Sequence, residues 1–540
     1  MRRSVFFLTF LLLYFLASSL SSPQLPPPKD SLAPAQSSQS AAACSTTDAS
    51  SCAQAAAKIL PQVMGPSPLE ENLRRLTDEI GGRVTGSPEM AKAVQWAVAA
   101  FRAEGVEVHT EKYTLPATWS EGDTSLFLTQ PAPDRTTHDV VSNKLLVNLV
   151  DLYHFRARSE GWGPATPAGG LTGPVLDLNY GTADDFSHAG SALKGALILI
   201  HSDIGTSWAD LFNEYLRPLE IIRRAIESGV SAILWTSARD GLLAYRHTNS
   251  LTGQIDKIPQ AIVLREDALR LARILAANPG KVQAVLNMPN KIGGPIEQQN
   301  VVGEIRGYEK PDESVILGAH LDSWELGTGA LDNGCNAALV IEAARAIKAT
   351  GLLPRRTIRF VLFSGEEQGT IGSFEYVKTH RAELDKIRAM ITFDSGDGRV
   401  TGYSLGGRRD IAAGVREVLK PLESWGANDH TYDASFGTDN FDFLLEGIPN
   451  LVANQEISNY LVNYHAASDT LDKVDIRELK LNTVLAALTA WGIADRTEPL
   501  GKRLTRPELD ALIKETGLDE QMKLLGYWDD WRSGNRGRKP

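Results

Sequence analysis

The sequence predicts an α/β protein: a mostly parallel central sheet covered by helices, interrupted by a small β-rich insertion. From about residue 300, short apolar runs alternate with helical stretches, the pattern of strands linked by crossover helices. Polar residues of catalytic type fall just after those runs, where ligands bind in such sheets. Between about 155 and 290 the rhythm changes to closely spaced short apolar runs. At 540 residues the chain is too long for one typical domain, and 43% apolar residues suffice for a real core. The net charge of −11 and the lack of any long Lys/Arg run argue against a nucleic-acid partner.

Arg2 and Arg3 precede an apolar run over 5–17 and small residues at 17–19, so residues 1–22 read as a signal peptide. The run is shorter than the roughly 20 residues of a membrane span. The mature body is expected to be secreted or periplasmic, with a retained anchor as the alternative. Residues 23–60, rich in Pro, Ser and Ala, lack periodicity and are expected to be a disordered leader. Cys44 and Cys52 are candidates to pair after export, and Cys335 stands alone; three cysteines exclude a disulfide scaffold.

The main domain is expected in two parts. Its first, over 61–150, holds a helix at 89–105 and a strand at 106–118. The insertion, over 155–290, has apolar runs at 175–178, 196–201, 232–236 and 261–264, with a helix at 216–228. The second part, over 295–500, places strands at 314–319, 358–363 and 387–393, and helices at 337–349 and 373–379. Asp475 with Glu478 reads as a capping box. A helical tail fills 501–540, its first helix starting near Thr505.

The chemistry lies in the second part. His320 and Asp322 follow the first strand, and Asp332 sits in the loop GTGALDNG. Glu366 and Glu367 follow the second strand, Asp394 the third, and His465 comes much later in YHAASDT. Each fragment alone is weak, but together they form an ordered set of imidazoles and carboxylates. Such ligands suit zinc. Five are too many for one catalytic ion and enough for two if one carboxylate bridges.

The runs GAHLDSWELGTGALDNG, SGEEQGTIGS, FDSG and YHAASDT resemble the co-catalytic di-zinc exopeptidase family, most of all its plasma glutamate carboxypeptidase branch. That family also includes bacterial leucyl aminopeptidases. YGTADDF, LKGALILIHSD and AIESGVSAILWTSA resemble the protease-associated domain inserted in several of its members. The resemblance spans roughly 68–500 and includes GGRVTGSPEMAKAVQWAVAAF upstream. It implies two zinc ions per chain, bridged by Asp332, with Glu367 and His465 completing one site and His320 and Asp394 the other. Glu366 would be the general base, Asp322 would orient His320, and Tyr464 would donate to the oxyanion. Asp469 and Thr470 would shape the loop that presents His465. The expected substrates are short peptides, cleaved as by a carboxypeptidase or dipeptidase; an aminopeptidase is the runner-up. A non-catalytic, transferrin-receptor-like binding protein and a one-zinc, glutaminyl-cyclase-like acyltransferase are the alternatives of other classes, and a homodimer stays open.

Three departures stand out. Cys335 and Asn336 follow the bridging position where relatives carry small residues. Phe436-Gly437-Thr438-Asp439-Asn440 has Asn where aminopeptidases carry His, which puts the pocket wall in question. Arg408 and Arg409 are candidates to meet a substrate carboxylate, with a solvated loop as the plainer reading.

Overall fold

Cys52, Ala55, Ala56, Ile59 and Val63 recur at helical spacing and are all buried. They form one face of the helix Thr46–Met64, which packs on the long helix Ile476–Asp495. The disordered leader expected through residue 60 is thereby corrected for its last part. Alanine-rich sequence has high helix propensity, and this stretch buries a face made of small side chains that give little hydrophobic contrast in the sequence. The computed structural model describes residues 46–129 and 153–540. The expected signal peptide, the rest of the expected leader and Cys44 lie outside the described residues, so the candidate Cys44–Cys52 pairing does too. Among the described residues no helix is long and apolar enough to cross a membrane.

The main sheet has seven strands in the order Glu107–Leu115, Ile296–Ile305, Arg356–Phe363, Lys310–His320, Ile387–Thr392, Asn450–Gln455, Val400–Ser404. Only its four central strands run parallel. The two strands on one side and the last on the other pair antiparallel, so "mostly parallel" is corrected to mixed. The physical reason is the chain path. Glu107–Leu115 and Ile296–Ile305 pair from Glu107↔Glu304 to Leu115↔Ile296, so the chain leaves the sheet and returns at the same place. The described residues between 116 and 295 are inserted there. The central strands are buried on both faces, as crossover helices require.

The inserted unit is built on an eight-stranded sheet that starts at Ser125–Thr129, paired with Gln283–Asn287. The boundary expected near 155 therefore moves toward the N-terminus: Leu126 and Leu128 point into this unit's own core. Its centre is four parallel strands, Leu171–Asp177, Leu197–Ile200, Ala232–Thr236 and Gln260–Val263. Helices Ala183–Ala189, Trp208–Glu227 and Arg265–Ala277 make it α/β rather than simply β-rich.

Asp475 caps the helix Ile476–Asp495 by accepting from the N–H groups of Arg477 and Glu478 (2.9 and 3.2 Å). The reciprocal half of the expected box is replaced, because the Asp475 N–H goes to the Asp397 carboxylate. The tail folds as Arg506–Thr516, Leu518–Leu524 and Trp528–Ser533, and Thr505 and Glu508 do form a capping box. Beyond these helices the buried Arg536 forms a bidentate pair with buried Asp442 (2.7 and 2.7 Å) and reaches Thr370 Oγ1 (2.9 Å). The tail is thus clamped to the main domain. Removing one partner of a buried pair leaves the other charge uncompensated. Arg536→Ala is expected to cost about 3–5 kcal/mol in urea unfolding; a loss below about 1 kcal/mol would show the pair to be dispensable.

Candidate metal centre

The candidate residues are delivered by strand ends and the loops after them. His320 ends the strand Lys310–His320, and Asp394 follows Ile387–Thr392. Glu366 and Glu367 lie in the turn after Arg356–Phe363. Asp332 lies in the buried turn Ala330–Gly334, and His465 follows the short helix Ser458–Asn463.

The structure brings all five candidate ligands together. His320 Nε2 lies 2.8 Å from Asp394 Oδ1 and 3.2 Å from Asp332 Oδ1. His465 Nε2 lies 2.9 Å from Glu367 Oε2 and 3.3 Å from Asp332 Oδ2. Two donor groups result, His320–Asp332–Asp394 and Asp332–Glu367–His465, each with its ligand atoms within 4.8 Å of one another. Asp332 belongs to both and turns one oxygen to each. Glu366 belongs to neither and faces the cavity beside them.

Whether this set fits a cation is decided by its hydrogen bonds. His320 Nδ1 donates to the Asp322 carbonyl (3.0 Å), and His465 Nδ1 to the Arg246 carbonyl (3.1 Å). With the protons there, each Nε2 presents a lone pair to carboxylate oxygens that are also acceptors. Asp394 Oδ1 and Glu367 Oε1 are buried without a hydrogen-bond partner. Acceptors converging on acceptors demand positive charge between them, and the N/O set suits zinc. The surplus of carboxylates also shows in the electrostatics. Burial by itself disfavours charged imidazole, yet Glu367 and Asp332 raise His465 to about 10, and the His320 imidazole is likewise pushed well up by Asp394 and Asp332. Burial works against the Asp332 carboxylate, but the two imidazoles beside it hold it below its ordinary range. Burial raises Glu366 well above the usual carboxylate range; His320 opposes this, and Asp394, Asp439 and Glu367 reinforce it.

Asp322 meets the His320 ring chiefly through its main chain. Its backbone carbonyl accepts from Nδ1, while its carboxylate oxygen Oδ1 lies 3.7 Å from that nitrogen. The carboxylate accepts Thr85 Oγ1 (2.8 Å) and the N–H groups of Glu366 and Glu367 (3.3 Å each). It therefore fixes the turn that carries the candidate base. Gly369, at φ +105°, closes that turn against the inserted unit: a Cβ there would lie 2.1 Å from the Leu251 carbonyl oxygen. Asp469 does more than shape its own loop. Its two oxygens grip the N–H groups of Leu331 and Asp332 (2.6 and 3.1 Å), tying the His465 loop to the Asp332 turn.

Tyr464 stacks on His465 with ring centroids 3.7 Å apart, and its hydroxyl is hydrogen-bonded to that of Tyr215 from the inserted unit. Cys335 Sγ points to the Leu331 carbonyl, away from both donor groups (3.4 Å). Asn336 bridges Asn333 and the Gly396 carbonyl (2.7 and 2.9 Å). Arg408 is buried, pairs with Asp410 and bonds the Lys502 carbonyl; Arg409 lies over the Tyr432 ring. Neither arginine lines the cavity. Phe436, Gly437, Thr438 and Asn440 do line it, while Asp439 is fully buried behind them.

Sequence reasoning missed four residues. Tyr460 donates to Asp332 Oδ2 (3.1 Å). The buried guanidinium of Arg83 holds the carbonyls of Leu321, Thr328 and Gly329 (2.8, 2.7 and 2.9 Å), fixing the loop between His320 and Asp332. Thr85 joins Asp322 to the Gly365 N–H (3.0 Å). Arg246 supplies the carbonyl for His465. Arg83 and Thr85 lie in the quoted GGRVTGSP run, which was a signal; Tyr460 and Arg246 had none.

Residues 300–490 match Peptidase family M28. The chain is 28% identical over 437 residues to Carboxypeptidase Q of Mus musculus, covering 80% of this chain and 86% of that protein. The solved Peptidase M28 precursor from Shewanella amazonensis superposes with a TM-score of 0.71 at 26% identity, over 85% of this chain and 99% of that one. The zinc aminopeptidase of Bacillus subtilis shares the fold, with a TM-score of 0.60 at 18% identity over 81% and 97%.

Proposed function

We propose that this chain, a zinc-dependent exopeptidase of the M28 type, uses a two-zinc centre to cleave the terminal bond of short peptides held by their free amino end. The observation that carries the choice of end is the cavity lining. Among the described residues it contains Asp332, Glu366, Glu367, Asp394, Asp429 and Asp433, but no Lys or Arg. Two divalent ions would offset the four carboxylates on the floor. Exposed Asp429 and Asp433 are then the uncompensated charges of the wall. Such a wall favours an ammonium and disfavours a carboxylate. Dipeptides, where the first bond is also the last, fall within this reading.

His320 and Asp394 would hold one ion, Glu367 and His465 the other, with Asp332 shared. When bound, zinc lowers the pKa of water to about 7 and polarises the scissile carbonyl. Glu366 takes the proton from the attacking water and returns it to the leaving amine, as its place beside both donor groups allows. The Tyr464 hydroxyl, held by Tyr215, is our candidate donor to the developing oxyanion. Trp208, Leu211 and Phe212 of the inserted unit give the cavity an apolar wall for a substrate side chain. The sequence of that unit resembles the protease-associated domain. The signal-like N-terminus fits an exported enzyme.

A second reading, carboxypeptidase action, is favoured by the likeness to Carboxypeptidase Q over 80% of the chain. End-blocked peptides separate the two. A C-amidated tripeptide is expected to lose its first residue at a rate near that of the free peptide, while the N-acetylated tripeptide is expected to be inert. Stepwise loss from the C-terminus of the N-acetylated peptide would establish the second reading and overturn the first.

A further inference from the structure

His465 is oriented from outside the main sheet. Its Nδ1 donates to the Arg246 carbonyl (3.1 Å), and its own carbonyl accepts the Arg246 N–H (2.9 Å). The Ala467 N–H donates to the Ala244 carbonyl (2.8 Å), and Tyr245 bridges Ala466 in antiparallel fashion. A short backbone segment of the inserted unit therefore sets both the tautomer and the tilt of this imidazole.

That segment is itself pinned by the Arg246 side chain, which is fully buried. The guanidinium meets Glu121 Oε2 (2.7 Å), ahead of the second sheet, and the Ser159 carbonyl within it. It also meets Glu325 (Nε to Oε1, 3.2 Å), five residues beyond His320 in the main domain. Its face lies over Trp119, 5.1 Å from the ring centroid. Glu121 is fixed in turn by the Ser159 N–H and Thr124 Oγ1 (2.7 Å each). A charged fork satisfied on three sides is costly to displace.

We propose that Arg246 is a positioning residue for His465, through which the inserted unit sets the affinity of the Asp332–Glu367–His465 group for its ion. Outer partners of a metal-bound histidine fix its ring and tautomer, and losing one typically lowers affinity about 10–100-fold. The inference rests on the two-zinc reading above.

The test is zinc titration against a competing chromogenic chelator, with circular dichroism to verify the fold. The proteins are wild type, Arg246→Met, Arg246→Lys, Glu325→Gln and His465→Ala. In Arg246→Met, one ion is expected to bind about 10–100-fold more weakly, and it should be the ion that His465→Ala loses. The other ion should shift by less than about threefold, and Arg246→Lys should recover part of the loss. Full affinity for both ions in a folded Arg246→Met protein, or equal weakening of both, would overturn the proposal. Should Arg246→Met fail to fold, Glu325→Gln decides. Its side chain is 33% exposed, so the substitution is mild. A weakened His465-side ion supports the proposal, and unchanged binding overturns it. Wild type binding fewer than two ions would count against the two-zinc reading alone. The proposal would then stand or fall on whether the variants weaken the ion that remains.

Discussion

Glu366→Gln is expected to lower kcat by about 10²- to 10⁴-fold, the usual contribution of a positioned proton-transfer group, with zinc content and fold unchanged. The geometry supports each part. Glu366 faces the cavity but belongs to neither donor group, so an amide there removes the proton acceptor without removing a metal ligand. Its backbone is held through the Asp322 carboxylate rather than through its own side chain, so the turn keeps its shape. Metal analysis beside steady-state kinetics checks the prediction. Loss of zinc in parallel with activity would make Glu366 a ligand, and retention of full activity would assign the base elsewhere.

The second large effect falls on Asp332. Its two oxygens face two different imidazoles, 3.2 Å from His320 Nε2 and 3.3 Å from His465 Nε2. Asp332→Asn converts one oxygen to an NH₂ donor and removes the charge shared by both groups. Zinc affinity is expected to fall at both positions, by more than the roughly 10–100-fold that loss of an outer partner costs. Peptidase activity should drop below detection at micromolar zinc. Loss of a single ion, with the second bound as in wild type, would show that Asp332 serves one group only.

The parts of the centre differed in how legible they were. His320, Asp332, Glu366, Glu367 and Asp394 sit at strand ends or in the loops after them, and strands show as short apolar runs whatever the tertiary structure. Their types and order pointed to a metal site without coordinates. The same legibility failed wherever a main-chain atom does the work. Asp322 was expected to orient His320, and the hydrogen bond that meets the ring comes from its main-chain carbonyl, which every residue has. Arg246 orients His465 through its main chain from 219 residues away. Tyr460 reaches Asp332 by being one helical turn before Tyr464, in a helix too short to show periodicity. The Arg408 and Arg409 alternatives were also separated only by packing. Arg408 is buried against Asp410 and the start of the tail, so it is held inside the fold rather than offered to a substrate.

The sequence by itself determined the donor types, their order at the ends of strands and the α/β class, because these depend on local apolar patterning and on the chemistry of single side chains. Only the tertiary structure decided that Asp332 turns one oxygen to each imidazole, that the sheet edges are antiparallel and that the inserted unit reaches the centre. It also decided that, among the described residues, the cavity wall carries no Lys or Arg. Each of these depends on which distant segments meet, and that is set by packing and by backbone hydrogen bonds, which are the same for every residue type and so leave no mark in the sequence.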